Sequence, residues 1–478
     1  MNAGLEEQVG LLQERLPVFT RSVKGVFRRF KTGVLLLAYA LFFLLPWLPW
    51  ERLNAPSQAV LFDLPGRRFL IFNLTVYPQD VVWLAILLFI AASLLFFATA
   101  LVGRAFCGYF CFQTLWTDFF IWVETKIQGE RPARIRLYRQ PWSREKLLKL
   151  GATHLVWLLA SFWTGMSFVL YFAYAPDLLL RFFTGQAASA AYITVAVITL
   201  GTYFAAGYMR EQICTYVCPY GRFQSVMYDN ETLAVHYDAR RGEGAHGRAS
   251  ARSGMRTLED RHAKGNGDCI DCGLCVQVCP TGIDIREGLQ YKCISCGLCI
   301  DACNGIMDSM GYPRGLIRYD SELNLAAVEP APPHLHWRRL KVIGYGLAIV
   351  VMTAYLFYSI FNRSSYENAV TQIRQPLFVQ LSNGDIRNRY QIRITNKQAV
   401  AARYILSAKG LPAGALDLGN FSEVEVKPGR SVTVLASVTL SPEQAAKTHE
   451  VTFVITPASN PAEAHVDSAG FHYTPAGY

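Results

Sequence analysis

Cys269-Ile270-Asp271-Cys272-Gly273-Leu274-Cys275-Val276-Gln277-Val278-Cys279-Pro280 is followed by a second run, Cys293-Ile294-Ser295-Cys296-Gly297-Leu298-Cys299-Ile300-Asp301-Ala302-Cys303. Both runs have the spacing Cys-x2-Cys-x2-Cys-x3-Cys. All twelve cysteines of the 478-residue chain lie between Cys107 and Cys303. That is too sparse for a disulfide scaffold at this length, and the clustering points to metal chemistry. Around this core the chain is 52% apolar and 17% charged, with a mean hydropathy of +0.19. Neither an ordinary soluble enzyme nor a transporter buried throughout fits these values; membrane spans joined to soluble parts do. The aromatic content of 13% excludes a disordered chain.

The doubled run is that of a bacterial two-cluster ferredoxin. A cubane needs four thiolates, and three cysteines spaced by two residues wrap one short loop around three corners. The fourth cysteine of each run ligates the other cluster. One [4Fe-4S] cluster is therefore expected on Cys269, Cys272, Cys275 and Cys303, and a second on Cys279, Cys293, Cys296 and Cys299. Gly273 and Gly297 are expected to let the backbone approach the sulfides. Zinc also takes four thiolates, but this doubled spacing disfavours it. Clusters that only hold the fold together are the other alternative.

Five stretches without Asp, Glu, Lys or Arg are long enough to cross a hydrocarbon core: 33–50, 81–103, 150–176, 182–209 and 342–362. Pro46 and Pro49 should end the first helix near Leu45, with Trp47 and Trp50 at the boundary. The leader carries six Lys or Arg (Arg15, Arg21, Lys24, Arg28, Arg29 and Lys31), residues 104–149 carry nine, and residues 51–80 carry three. By the positive-inside rule the leader, the 104–149 segment and the stretch after the fourth span are cytoplasmic, and the C-terminus is periplasmic.

The tail from Arg363 has no cysteine and changes character. Apolar or alternating segments at 377–381, 390–394, 424–426, 431–435 and 451–455 are separated by turn chemistry such as Ser382-Asn383-Gly384-Asp385 and Lys427-Pro428-Gly429-Arg430. An immunoglobulin-like β-sandwich is expected, and its 11 basic against 9 acidic residues call for no polyanion partner. The expected fold class is thus a multi-domain membrane protein. A cytoplasmic basic leader (1–32) precedes an α-helical bundle of four spans (33–209, cytoplasmic loop 104–149). A cytoplasmic region follows (210–339, two-cluster bacterial ferredoxin-like domain at about 265–320), then a fifth span (340–362) and an all-β sandwich (363–478).

Four cysteines remain, in Cys107-Gly108-Tyr109-Phe110-Cys111 and Cys214-Thr215-Tyr216-Val217-Cys218-Pro219. Each pair follows a span that runs inward, so both should reach the cytoplasmic membrane face. Residues at i and i+4 share a helix face, so each pair could present two sulfurs to one ion. Soft thiolates select Cu(I), zinc or iron-sulfur clusters. Copper or transient redox thiols, a third cluster and structural thiols all stay open. A disulfide does not suit the reducing cytoplasmic side.

Other features read as structural. Arg28-Arg29-Phe30-Lys31 resembles a twin-arginine signal, but no cleavage site follows, which makes it an uncleaved anchor. Gly242-Glu243-Gly244-Ala245-His246-Gly247 fits G-x-G-x-x-G yet follows no strand, and is read as a flexible loop. His154, alone in its span, is a packed polar contact, and His236, His246 and His262 lie in loops without metal spacing. The basic stretch 240–264 is a solvated loop or lipid-headgroup contact; being poor in aromatics, it argues against nucleic acid.

Cys107-Gly108-Tyr109-Phe110-Cys111-Phe112-Gln113-Thr114-Leu115-Trp116-Thr117-Asp118 and the segment from Met209 to Met227 around Cys214 and Cys218 resemble the FixG/RdxA/CcoG family of cytochrome oxidase accessory proteins. Residues 279–286 and 315–319 continue the resemblance, which covers nearly the whole chain. Two positions depart from the family pattern: Phe112 stands where proline is usual, and Asn304 where aspartate is usual. The resemblance implies a bacterial inner-membrane protein that reduces Cu(II) to Cu(I) for assembly of a cbb-type haem-copper oxidase. Cys107, Cys111, Cys214 and Cys218 would then be the catalytic, copper-handling thiols. It also implies membrane lipid, copper ions, copper-handling or oxidase-assembly proteins and an electron donor as partners, and leaves a homodimer open. Two other functions stay open: a quinol-oxidising electron-transfer subunit of a periplasmic reductase, as in NapH-like and NosR-like membrane ferredoxins, and an assembly scaffold with structural clusters.

Overall fold

The computed structural model describes residues 18–52, 56–251, 256–328, 331–398 and 400–474. Arg15 of the leader and residues 252–255 of the basic stretch lie outside them. The chain divides into two compact units, one of residues 1–49, 58–61 and 85–353, the other of residues 50–57, 62–84 and 354–478.

Among the described residues five helices are long and apolar enough to cross a membrane: Val26–Trp47, Val81–Val102, Arg144–Leu170, Ser189–Met209 and Leu340–Phe361. In chain order the helices that matter below are α1 (Val26–Leu44), α2 (Val81–Val102), α3 (Ala105–Tyr109), α4 (Phe112–Gln128), α5 (Arg131–Arg139), α6 (Arg144–Leu170), α7 (Ala175–Phe183), α8 (Ser189–Thr202), α9 (Pro219–Val226), α10 (Leu274–Gln277), α11 (Leu298–Met310) and α12 (Leu340–Phe361).

Helix α1 ends at Leu44 and passes through a single 3-10 turn, as its prolines require. Its start differs from the expectation. The helix begins at Val26 rather than Gly33, so Arg28 and Lys31 are helical and not part of a free leader. Both pair with Asp118 of α4, at 2.7 and 3.4 Å, which allows Lys31 to be 1% exposed. The exposed amides of the first turn are capped from a distant element. Asp301 of α11 accepts from Phe27 N (3.3 Å) and Arg28 N (2.8 Å), the positions a local N-cap side chain would serve. Asp301→Ala should therefore cost about 1 kcal/mol, the usual worth of an N-cap. It should appear as a lowered thermal unfolding midpoint of the full chain at unchanged iron content.

Residues 104–149 are not a plain loop but carry α3, α4 and α5. The third span begins at Arg144, not Leu150, because Ser143 caps it by accepting from Lys146 N at 3.2 Å. The apolar run expected to open the fourth span at Phe182 belongs to the separate helix α7, and the span starts at Ser189. It continues as a π-helix, Tyr203–Met209, and a second π-turn covers Ile213–Val217.

Residues 51–80, expected as a loop, carry a three-stranded sheet of β1 (Val60–Asp63), β2 (Arg68–Ile71) and β3 (Leu74–Val76). The cluster domain pairs β4 (Ala234–Tyr237) antiparallel with β5 (Ile317–Asp320), with α10 and α11 between them in sequence. His236 is in β4 and buried, not in a loop. The glycine-rich segment is not a flexible loop either: Gly244 and Gly247 form a β-bridge, and His246 N donates to Gly265 O at 2.9 Å. Nor is the basic stretch wholly solvated. Arg261 is fully buried and donates to Gly267 O and Cys269 O, at 2.9 and 2.8 Å.

The C-terminal region is a two-sheet β-sandwich. Strands β6 (Tyr366–Gln372), β7 (Val379–Gln380), β8 (Ile386–Asn396), β9 (Ala402–Lys409), β10 (Leu416–Asp417), β11 (Glu423–Val426), β12 (Ser431–Leu440), β13 (Glu450–Pro457) and β14 (His465–Gly470) form it. One sheet runs β10-β12-β8-β6 with β7 also on β8, the other β11-β9-β13-β14. Alternating residues fill the space between the sheets, among them Tyr366, Tyr390, Ile392, Tyr404 and Phe453.

Candidate functional site: two thiol-lined cavities and a thiol quartet

The two cysteine runs fold alike. In each, the residue before the second cysteine and the glycine after it are left-handed: Asp271 (φ 52°) and Gly273 (65°), Ser295 (49°) and Gly297 (70°). The two glycines are also the N-caps of α10 and α11. Alternating handedness turns successive N–H groups inward and makes an anion-binding concavity; Ser295 N faces Cys293 Sγ at 3.5 Å. A non-glycine residue in this region is strained, and two at matching positions mark a constraint shared by both loops.

Each loop lines a small cavity. One is bordered by Cys269, Cys272, Cys275 and Cys303, the last from α11. The other is bordered by Cys279, Cys293, Cys296 and Cys299, with Cys275 on its wall. Among the described residues no three His, Cys, Asp or Glu converge tightly enough for a single ion. A zinc tetrahedron would bring thiolates to about 3.8 Å from one another, given Zn–S bonds of about 2.3 Å. An all-thiol donor set spread around a cavity fits a cubane instead. Burial pushes the thiols of Cys275, Cys293 and Cys303 up, to about 11, 12 and 12. These sites therefore need a cationic metal centre to hold thiolates, and its uptake would release protons.

The other four cysteines are not arranged as the helix-face reading expects. Cys107 lies in α3, but Cys111 is the extended N-cap of α4 (φ −67°, ψ 130°). Cys214 lies in the second π-turn, and Cys218 is the extended N-cap of α9 (φ −75°, ψ 111°). In each pair the first helix stops before the second cysteine, so no helix face carries both. Pro219 takes the N1 position, where proline suits a helix; Phe112 takes the same place with the same geometry at Cys111. The pairs nevertheless lie within electrostatic reach of one another, without three thiols among the described residues converging on one point. Burial raises Cys107 to about 12, with Arg104 opposing and Cys111 and Cys214 adding; it raises Cys214 to about 11, with Cys111 and Cys218 adding.

This quartet abuts the second cluster loop. A Cβ on Gly108 would come within 2.6 Å of Ile294 O and 3.0 Å of Cys296 Cα. Tyr109 donates to Cys296 O at 2.8 Å, and Cys107, Ile294 and Cys296 share one apolar cluster. Cys107 Sγ donates to the buried Gln224 at 3.2 Å, and Gln224 in turn to Thr99 at 2.9 Å. Sequence reasoning missed Arg104, which is 3% exposed, hydrogen-bonded to Tyr291 O, and a favourable charge for Cys107, Cys214 and Cys293. Its only signal was its place between a span and a cysteine pair. Asn304 accepts from Gly315 N at 3.1 Å, a role an aspartate would fill equally. His154 is the packed polar contact expected, with Nδ1 at 3.1 Å from Tyr203 Oη and its ring stacked on Tyr208.

Membrane-length helices beside paired thiol cavities define a membrane iron-sulfur redox protein. Family models agree: residues 209–322 match a 4Fe-4S dicluster domain, residues 83–129 a 4Fe-4S binding domain, and residues 356–473 the Ig-like fold at the C-terminus of FixG. Protein RdxA of Cereibacter sphaeroides is 42% identical over 442 residues, covering 90% of this chain and 88% of its own. RdxB of the same organism is 42% identical over 443 residues, with 90% and 88% covered. The nitrogen fixation protein FixG of Rhizobium meliloti is 37% identical over 499 residues, with 97% and 94% covered. The chain belongs to the FixG/Rdx family. A crystal structure of a FixG-related protein from Vibrio parahaemolyticus is 22% identical over 23% of this chain and 95% of that one, at a TM-score of 0.19.

Proposed function

We propose that the protein is a one-electron oxidoreductase that reduces Cu(II) to Cu(I) at Cys107, Cys111, Cys214 and Cys218. Cys269, Cys272, Cys275 and Cys303 would hold one [4Fe-4S] cluster, and Cys279, Cys293, Cys296 and Cys299 a second. When bound, each cluster supplies reversible one-electron chemistry, which matches the copper couple. The observation that carries the reading is the direct packing of Gly108 on Ile294 and Cys296, which brings a soft-donor quartet against a cluster-binding loop. The thiols would take copper as substrate, since thiolates favour the cuprous ion. Arg104 offsets the charge of thiolates that burial disfavours.

The excess of Lys and Arg in residues 104–149 over residues 51–80 supports a cytoplasmic location for the thiols and clusters and a periplasmic one for the sandwich. The family resemblance supports a role in supplying Cu(I) to a haem-copper oxidase. Gly108→Ala tests the contact. The added methyl must push the Cys107 segment off Ile294, and Cu(II) reduction should fall several-fold while iron content is unchanged. An unaltered rate would count against this route.

A further inference from the structure

The electron source is the missing part of that reading, and the fold offers a place for it. A cavity of about 500 Å³ lies between α4, α5, α6 and the π-helix, within the roughly 300–1,000 Å³ typical of small-molecule sites. Its walls include His154, Trp157, Tyr208, Glu124, Arg134 and Glu211. Glu124 is buried and bridges two guanidiniums, those of Arg134 (2.9 Å) and Arg210, and Arg210 also sits over the Trp157 ring at 5.6 Å. The wall stores strain: it is a π-helix ending at Arg210, whose φ is +39°. Both features concentrate at functional sites. Burial holds the Glu211 carboxyl above the usual carboxylate range.

Two further observations say what would enter. Tyr138, Tyr208 and Tyr216 line the cavity and are also more than half exposed, as are Leu147 and Leu148 at the start of α6. Exposed tyrosines at the cavity's edge, beside exposed leucines on a membrane-length helix, suit a lipid interface better than water. On the inner side, Arg210, Glu211 and Thr281 also line a small second cavity, whose wall includes Cys214, Pro280 and Ile294. The large cavity is therefore one shared wall, that of Arg210, Glu211 and Thr281, away from a cavity that Cys214 and Pro280, the residue after Cys279, border.

From this juxtaposition we infer that the cavity binds a lipid-soluble hydroquinone, the electron donor of the chain. This rests on the redox reading above. The two O–H bonds of the hydroquinone break and its ring becomes the quinone. Its two protons pass to His154 and Glu211. Its two electrons would go singly, one to each, to the two [4Fe-4S] clusters that the eight cysteines of the doubled run would hold.

The test is photolabelling of the full-length, cluster-loaded protein in lipid nanodiscs with an azidoquinone, followed by peptide mapping. Label is expected on the peptides carrying His154–Trp157 and Tyr208–Tyr216, and excess decylubiquinone should displace it. His154→Ala and Glu211→Gln should lower labelling several-fold while iron content stays at the wild-type level. Label confined to other peptides, or label that decylubiquinone does not displace, would overturn the site. Labelling retained in a protein that fails to reduce Cu(II) with dithionite would overturn the copper reading and leave the quinone site standing.

Discussion

Cys214→Ser combined with Cys218→Ser should abolish Cu(II) reduction and leave the iron content of the protein intact. Cys214 lies in the second π-turn and Cys218 caps α9, and neither lines the two cavities of the ferredoxin run. Loss of an outer partner of a metal ligand alone costs about 10–100-fold in affinity or activity, so removing two thiol donors should exceed about 100-fold. Both residues are only half-buried, and serine nearly preserves their volume, so the fold should tolerate the change. Reduction at the wild-type rate, measured with a Cu(I) chelator in anaerobic protein, would remove the quartet from the mechanism.

Cys279→Ala should lose the same cluster as Cys293→Ala, although the two residues belong to different runs. The cavity bordered by Cys293, Cys296 and Cys299 takes its fourth thiol from Cys279, and the one bordered by Cys269, Cys272 and Cys275 takes it from Cys303. Each single variant should retain about four of about eight iron atoms. The double variants carry the information, because substitutions in one unit are not additive. Cys279→Ala with Cys293→Ala should retain about four iron atoms, while Cys279→Ala with Cys269→Ala should retain none. The opposite pattern would mean that each run serves its own cluster.

The parts that sequence made legible are those where a local spacing is itself the structure. The two cysteine runs encode their loops, down to the left-handed glycines that follow the second cysteine. Strands β8, β11, β12 and β13 contain the segments that alternation marked. Strands β6 and β14 escaped because polar residues interrupt their pattern, and β14 has only β13 beside it; in β9 the exposed Ile405 joins Tyr404 and Leu406 into one apolar run that blurs the alternation. The i, i+4 expectation for the cysteine pairs failed because each first helix stops short. Pro219 announced one break, whereas nothing in Phe112 announced the other. Lys31 and Arg28 read as leader charges because their partner Asp118 lies far along the chain. Arg104, Gln224 and the Gly108 contact are likewise long-range, and no local period carries them. The apolar run at Phe182 merged two helices that a turn separates, since Gly185 and the small residues after it break the helix without adding charge.

On this mechanism electrons pass from the clusters to copper at the thiol quartet. Its most direct test is to reduce the purified protein with dithionite, remove the excess anaerobically, and mix it with Cu(II) while following the cluster electron paramagnetic resonance signal and Cu(I) together. The reduced-cluster signal should disappear as about two Cu(I) form per chain, one for each cluster, and the Cys214→Ser, Cys218→Ser protein should keep its signal and form none. Clusters that stay reduced in the wild type while Cu(II) persists would contradict it.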